Sequence, residues 1–124
     1  MDSRELIEST KRFATKITKL AQGLEKNNGN VGRKLGDQVL RSGTGIYSNC
    51  RAACRCKSAK DFIHKMGTVV EGCDETVGWL ELSISAGVGN INEIMGLLKE
   101  ASELLPITAA SKSPAVKNYP GKLS

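Results

Sequence analysis

This sequence is short of aromatic residues, proline and histidine. Aromatics make up 4% of its 124 residues, with one Trp, two Tyr, two Phe, three Pro and a single His. So few aromatics and prolines beside an ordinary 40% hydrophobic content suit helices better than a β-sandwich, where aromatic and β-branched residues are enriched. A lone histidine, His64, excludes the paired Glu-x-x-His motifs of a di-metal carboxylate bundle. No apolar run approaches the roughly 18 residues of a membrane span. The N-terminal stretch Met1 to Glu8 carries acids where a signal peptide is basic and then apolar. The expectation is a cytoplasmic protein with no membrane partner. Cys50, Cys54, Cys56 and Cys73 have neither zinc-knuckle nor disulfide-framework spacing. They read as small buried or half-buried thiols in a reducing compartment, with no metal and no cofactor.

What is present is helical periodicity and positive charge. A chain of this length fits one domain with a core of its own. The net charge of +5 and pI near 9.1 favour an acidic partner such as nucleic acid.

From Ser3 to Leu24, Leu6, Phe13, Ile17, Leu20 and Leu24 step by four and three with Thr10 in the gap, which is one helical stripe. Arg4, Lys11, Arg12, Lys16 and Lys19 fall on the opposite side. Glu25-Lys-Asn-Asn-Gly-Asn30 supplies the turn chemistry that ends this helix. A second helix is expected from Val31 to Lys57, with Leu35, Val39, Ile46, Asn49, Cys50 and Ala53 inward. Gly32, Gly36, Gly43 and Cys50 form a small-residue stripe that suits close approach of another helix backbone. Leu40, Tyr47 and Cys54 flank it, making the apolar arc wider than one partner needs, so Gly36, Leu40, Gly43, Tyr47, Cys54 and Trp79 are expected to form an oligomer seam. Arg33, Lys34, Arg41, Arg51 and Arg55 occupy the remaining arc.

Ser58-Ala-Lys-Asp61 reads as a capping-box variant opening a third helix. Its stripe is Phe62, Met66, Val69, Cys73, Val77, Leu80 and Ile84, and it stops at Ala86-Gly87-Val88-Gly89. Asn90 or Asn92 caps a fourth helix with Ile91, Ile94, Leu97, Leu98, Ala101, Leu104, Leu105 and Thr108 inward and a kink expected before Pro106. Residues 1–111 therefore form the bundle domain, and residues 112–124, which lack periodicity, a basic tail. Four amphipathic helices with short connections give an all-α, antiparallel up-down-up-down four-helix bundle.

Catalytic chemistry is scarce. Ser42, Thr44 and Ser48 have no base to activate them, and Glu71, Asp74 and Glu75 crowd one helix as a solvated or ion-paired face. Enzyme activity is not expected. The basic faces carry more: Lys11, Arg12, Lys16, Lys19, Arg33, Lys34, Arg41, Arg51 and Arg55 are the candidate phosphate ligands of RNA or DNA. Tyr47 and Trp79 are minority candidates for stacking on bases, packing being the simpler role.

Arg41-Ser-Gly-Thr44 with Ile46 and Asn49, then Ala53, Lys60-Asp-Phe62, Asp74-Glu-Thr76 and Trp79-Leu-Glu-Leu82, resembles the bacterial four helix bundle proteins. These were first noticed as open reading frames in intervening sequences of the large ribosomal RNA gene, and they are related to the accessory variability determinant of diversity-generating retroelements. The resemblance spans roughly Arg4 to Ser111. It implies a homopentamer of four-helix bundles arranged as a tapered barrel, and the retroelement relatives use a basic surface to engage nucleic acid and a reverse transcriptase. Carried over by position, Arg41, Ser42, Thr44, Ile46 and Asn49 match the helix-two motif, and Phe62, Glu75, Trp79 and Leu80 the helix-three motif. Ala52 and Gly72 stand where the family often has Glu. Two functions follow: a nucleic-acid-binding accessory protein, or a structural oligomer that recognises another protein such as a polymerase.

Overall fold

The computed structural model describes residues 2–111; the expected basic tail, residues 112–124, lies outside them. The chain forms α1 (Ser3–Asn27), α2 (Gly29–Ala53), α3 (Ala59–Ala86) and α4 (Ile91–Ser111). Three of the four helix starts carry a side-chain cap. The Asp2 side chain accepts the Glu5 N–H at 2.8 Å, Ser58 accepts the Asp61 N–H at 3.1 Å, and Asn90 accepts the Glu93 N–H at 2.9 Å. Each such cap contributes about 1 kcal/mol, and the third settles the choice between Asn90 and Asn92. α3 ends where Gly87 takes the left-handed conformation, φ 69°, as periodicity followed by glycine predicts.

α1 and α2 meet in a very tight hairpin. Asn28 is the sole residue between them: its N–H donates to the Leu24 carbonyl and its own carbonyl accepts from Gly32 N–H, both at 3.0 Å. A Cβ on Gly32 would lie 2.1 Å from the Leu24 oxygen, so only glycine permits α2 to begin so soon. α2 also ends earlier than the sequence pattern predicts, at Ala53 rather than Lys57. There the Arg55 and Cys56 N–H groups donate three residues back, to Ala52 and Ala53, tightening the final turn and stopping the helix.

Each helix lies against its sequence neighbours, and α4 closes the ring onto α1 through the thinnest of the four contacts. Gly36 against Ala21, Gly43 against Ile17 and Gly72 against Ile46 show the antiparallel runs of α1–α2 and α2–α3. Phe13, Ile17, Val39, Ile46, Met66, Leu80 and Ile94 are wholly buried at the centre. The antiparallel four-helix bundle is therefore the observed fold.

Three expectations change. First, Gly36 and Gly43 do not form an exposed seam. Both are buried against α1 of the same chain: a Cβ on Gly36 would meet the Ala21 carbonyl at 3.1 Å, and one on Gly43 would meet the Ile17 side chain at 2.7 Å. The close-approaching partner of the small-residue stripe is intramolecular. Second, α3 is rotated: Thr76 and Ser83 are buried, while Val77 and Ile84 are half-exposed. Small hydroxyl residues fit the close α2–α3 approach, and their polarity is satisfied locally, Thr76 by the Gly72 carbonyl at 2.8 Å and Ser83 by the Trp79 carbonyl at 2.9 Å. Third, Leu35 is half-buried and Ile91 is 58% exposed. α4 itself continues through Pro106 to Ser111.

Candidate nucleic-acid interface

All nine candidate phosphate ligands have exposed side chains, but folding sorts them into three groups. On α1, Arg12, Lys16 and Lys19 look across the thin seam to α4, where they line clefts with Glu93, Glu100 and Glu103. Lys16 Nζ lies 3.1 Å from Glu100 Oε2. These cations thus have intramolecular counter-charge nearby, which the reading of α1 as one uniformly basic face did not foresee. Lys11 is exposed and lines none of these clefts.

Arg41 forms the second group. Its guanidinium pairs with Glu75 Oε2, the same oxygen that accepts the Trp79 Nε1–H at 3.1 Å. The indole and the guanidinium together hold the Glu75 carboxyl below its ordinary range. Behind this surface array the buried Ser42 and Thr76 hydroxyls share a hydrogen bond at 2.8 Å. The two resemblance motifs, apart in sequence, thus touch: Arg41 and Ser42 of α2 grip Glu75, Thr76 and Trp79 of α3. Arg41 is a corrected candidate, since its charge is engaged by a carboxylate. Trp79, half-buried with its N–H satisfied, packs against the core cluster.

Arg33, Lys34, Arg51 and Arg55 form the third group. The Arg33 guanidinium donates to Asn30 Oδ1 at 2.8 Å and so stays on its own turn, and Lys34 is exposed beside it. At the other end of α2, Arg51 and Arg55 join Arg4 around a cleft of about 390 Å³ between the first turns of α1 and the last turn of α2, with Ser3, Ile7, Glu8 and Cys54 completing its walls. Arg51 is held by Tyr47: its guanidinium donates to the phenol oxygen at 3.1 Å and sits 6.0 Å from the ring centroid. Arg4 was legible as part of a basic face, but its convergence with Arg51 and Arg55 was not. The only available signal was that antiparallel α1 and α2 bring the first turn of one beside the last turn of the other.

The cleft also sets thiol chemistry. Cys54 accepts hydrogen bonds from the Cys50 thiol and from Ser3, which bring its pKa down to about 7 despite partial burial. Cys50 moves up, chiefly through that bond to Cys54 and then through burial. Burial pushes Cys73 up to about 11, Thr108 offsetting part of it. Among the described residues no group of three or more His, Cys, Asp or Glu is placed to hold a metal ion, and no helix is long and apolar enough to cross a membrane.

Charge is segregated across the bundle. α1 and α2 hold more bases than acids, whereas α3 and α4 hold more acids than bases.

Comparison with known proteins gives a consistent frame. No curated protein matches the chain. A crystal structure from Bacteroides thetaiotaomicron, of a protein of unknown function from the S23 ribosomal protein family, is similar. It superimposes with a TM-score of 0.80 at 27% identity, covering 85% of this chain and 95% of that one. The family model described as 23S rRNA-intervening sequence protein matches residues 3–110, nearly all of the four helices whose α2–α3 grip carries the sequence motifs, so the chain belongs to the 23S rRNA-intervening sequence protein family.

Proposed function

We propose that this protein is a non-enzymatic accessory protein that holds RNA or DNA through phosphate contacts on its α1–α2 face. The observation that carries this reading is the convergence of Arg4, Arg51 and Arg55 on one cleft opposed there by the single acid Glu8, on the half of the bundle where bases outnumber acids. Arginine forks match phosphate oxygens bidentately. Lys11, Arg33 and Lys34 extend the field, while Arg12, Lys16, Lys19 and Arg41 contribute less because carboxylates face them. The affinity is set by the number of phosphates neutralised rather than by base sequence. The protein acts in the cytoplasm.

A homopentamer is the ring the family resemblance implies, with half-buried Leu40, Tyr47 and Trp79 as the remaining seam candidates, whereas Cys54 lines the arginine cleft. The second reading, a scaffold that binds a protein such as a reverse transcriptase, is favoured by exposed Leu82, Ile91 and Met95, of which Ile91 is 58% exposed.

Titrating a fluorescently labelled structured RNA and a duplex DNA with the protein at several salt concentrations tests the first reading. The expected result is binding that weakens steeply with salt and is reduced by Arg51→Ala with Arg55→Ala but little by Arg41→Ala. Absence of binding at low salt overturns it. Light scattering during the same titration measures the assembly.

A further inference from the structure

The cleft holds a nucleophile as well as cations. Cys54 is half-exposed in its wall, with the Cys50 thiol and Ser3 donating to its sulfur from one turn back and from the start of α1. Arg4, Arg51 and Arg55 surround the same space of about 390 Å³, and Ile7 supplies an apolar side. The other thiols are placed differently. Cys50 and Cys73 are buried, and Cys56 directs its thiol to the Ala52 carbonyl at 3.4 Å. Only Cys54 combines a sulfur that accepts hydrogen bonds, an open approach and guanidinium groups ready for an anion, the microenvironment in which cysteines react.

We propose that Cys54 is a covalent modification site for small disulfides bearing carboxylates, such as oxidised glutathione, which the cleft recognises through Arg4, Arg51 and Arg55. The Cys54 thiolate attacks one sulfur of the incoming disulfide. A new bond forms between Cys54 Sγ and that sulfur, the original S–S bond breaks, and the second sulfur leaves with the electron pair as a thiolate that takes a proton from water. Cys54 is oxidised to a mixed disulfide and half of the reagent is reduced to thiol. Carboxylates of the bound half remain on the arginines as charge-assisted hydrogen bonds. The α2 C-terminal dipole and partial burial work against the thiolate; the hydrogen bonds from Cys50 and Ser3 outweigh them. None of this depends on nucleic-acid binding.

The fully reduced whole chain, treated at neutral pH with oxidised glutathione, neutral hydroxyethyl disulfide or cationic cystamine, provides the test, with adducts located by peptide mass spectrometry. The expected result is modification of Cys54 by oxidised glutathione several-fold faster than of Cys56, since Cys54 and not Cys56 lines the cleft where Arg4, Arg51 and Arg55 gather the anionic reagent. Rates at Cys54 should fall in the order glutathione disulfide, hydroxyethyl disulfide, cystamine. Arg4→Ala with Arg55→Ala should flatten that order while circular dichroism stays helical. Equal labelling of Cys54 and Cys56, or no dependence on reagent charge in the unaltered chain, overturns the proposal. Because the charge order is read on the unaltered chain, a misfolded arginine variant does not decide the matter.

Discussion

The hydroxyls of Ser42 and Thr76 lie 2.8 Å apart in the dry contact between α2 and α3. Neither residue is hydrophobic, yet Ser42 is 3% exposed and Thr76 is inaccessible. Their position links the two short motifs on successive helices physically: small side chains let the helices approach, and the hydroxyls satisfy each other where water is excluded. No buried side-chain nitrogen or oxygen among the described residues lacks a partner.

Thr76→Val keeps the shape and removes the hydroxyl, leaving Ser42 only its long 3.4 Å bond to the Val39 carbonyl. The expected loss is about 1 kcal/mol of unfolding free energy. Ser42→Ala with Thr76→Val should cost less than the sum of the single changes, because the pair disappears together. Urea denaturation of the four variants measures the coupling; additive losses would count against a shared bond.

Glu75 makes a pH-dependent contribution. Its folded pKa is held below the usual carboxylate range, so its stabilisation is present above the unfolded pKa and is lost as pH falls through the folded one. The pair is exposed, with side-chain accessibilities of 61% and 38% for Arg41 and Glu75, which limits it to under about 1 kcal/mol. Trp79, the sole tryptophan, reports on it: its fluorescence should titrate with a midpoint below 4.5, and Glu75→Gln should abolish that transition.

The glycine stripe now predicts instability of the single chain rather than loss of a subunit contact. Gly32→Ala places a methyl 2.1 Å from the Leu24 carbonyl oxygen, backbone that has little room to yield, and should prevent the α1–α2 hairpin from closing. Gly43→Ala meets the Ile17 side chain at 2.7 Å and should cost about 1–3 kcal/mol as that side chain shifts. Thermal melts followed by circular dichroism distinguish the two. A folded Gly32→Ala variant with unchanged Tm would overturn the hairpin argument.

Alkylation should single out Cys54. With a pKa of about 7, its iodoacetamide rate should rise through a midpoint near neutrality. Cys73, at about 11, should remain unreactive until the chain unfolds. The groups facing Cys54 are Cys50 and Arg51 on α2, Arg55 in the turn after it, and Ser3, Arg4 and Glu8 on α1. Cys50→Ala removes the first-ranked donor and should move the midpoint upward.

Much of the architecture was legible before folding was considered. Ser58, Asn90 and the Ala86-Gly87 stop mark boundaries by purely local backbone chemistry, and the period of Leu6, Phe13, Ile17, Leu20 and Leu24 names a buried face. α2 was less legible at its end: Arg55 and Cys56 carry no stop signal, and the tightening there arises from where the chain must turn toward α3. The rotation of α3 was equally hidden, because Val77 looks a better core residue than Thr76 until the spacing to Ser42 is known.

The sequence by itself determined four amphipathic helices, their order and their antiparallel bundle, because capping and hydrophobic periodicity act within a few residues and short loops leave little choice of topology. Only the tertiary structure decided which cations keep a free charge. Pairing is a matter of distance across helices, and the same exposed arginine is engaged at Arg41, where Glu75 stands opposite, and gathered around one cleft at Arg51 and Arg55, where Arg4 arrives from the first turn of α1.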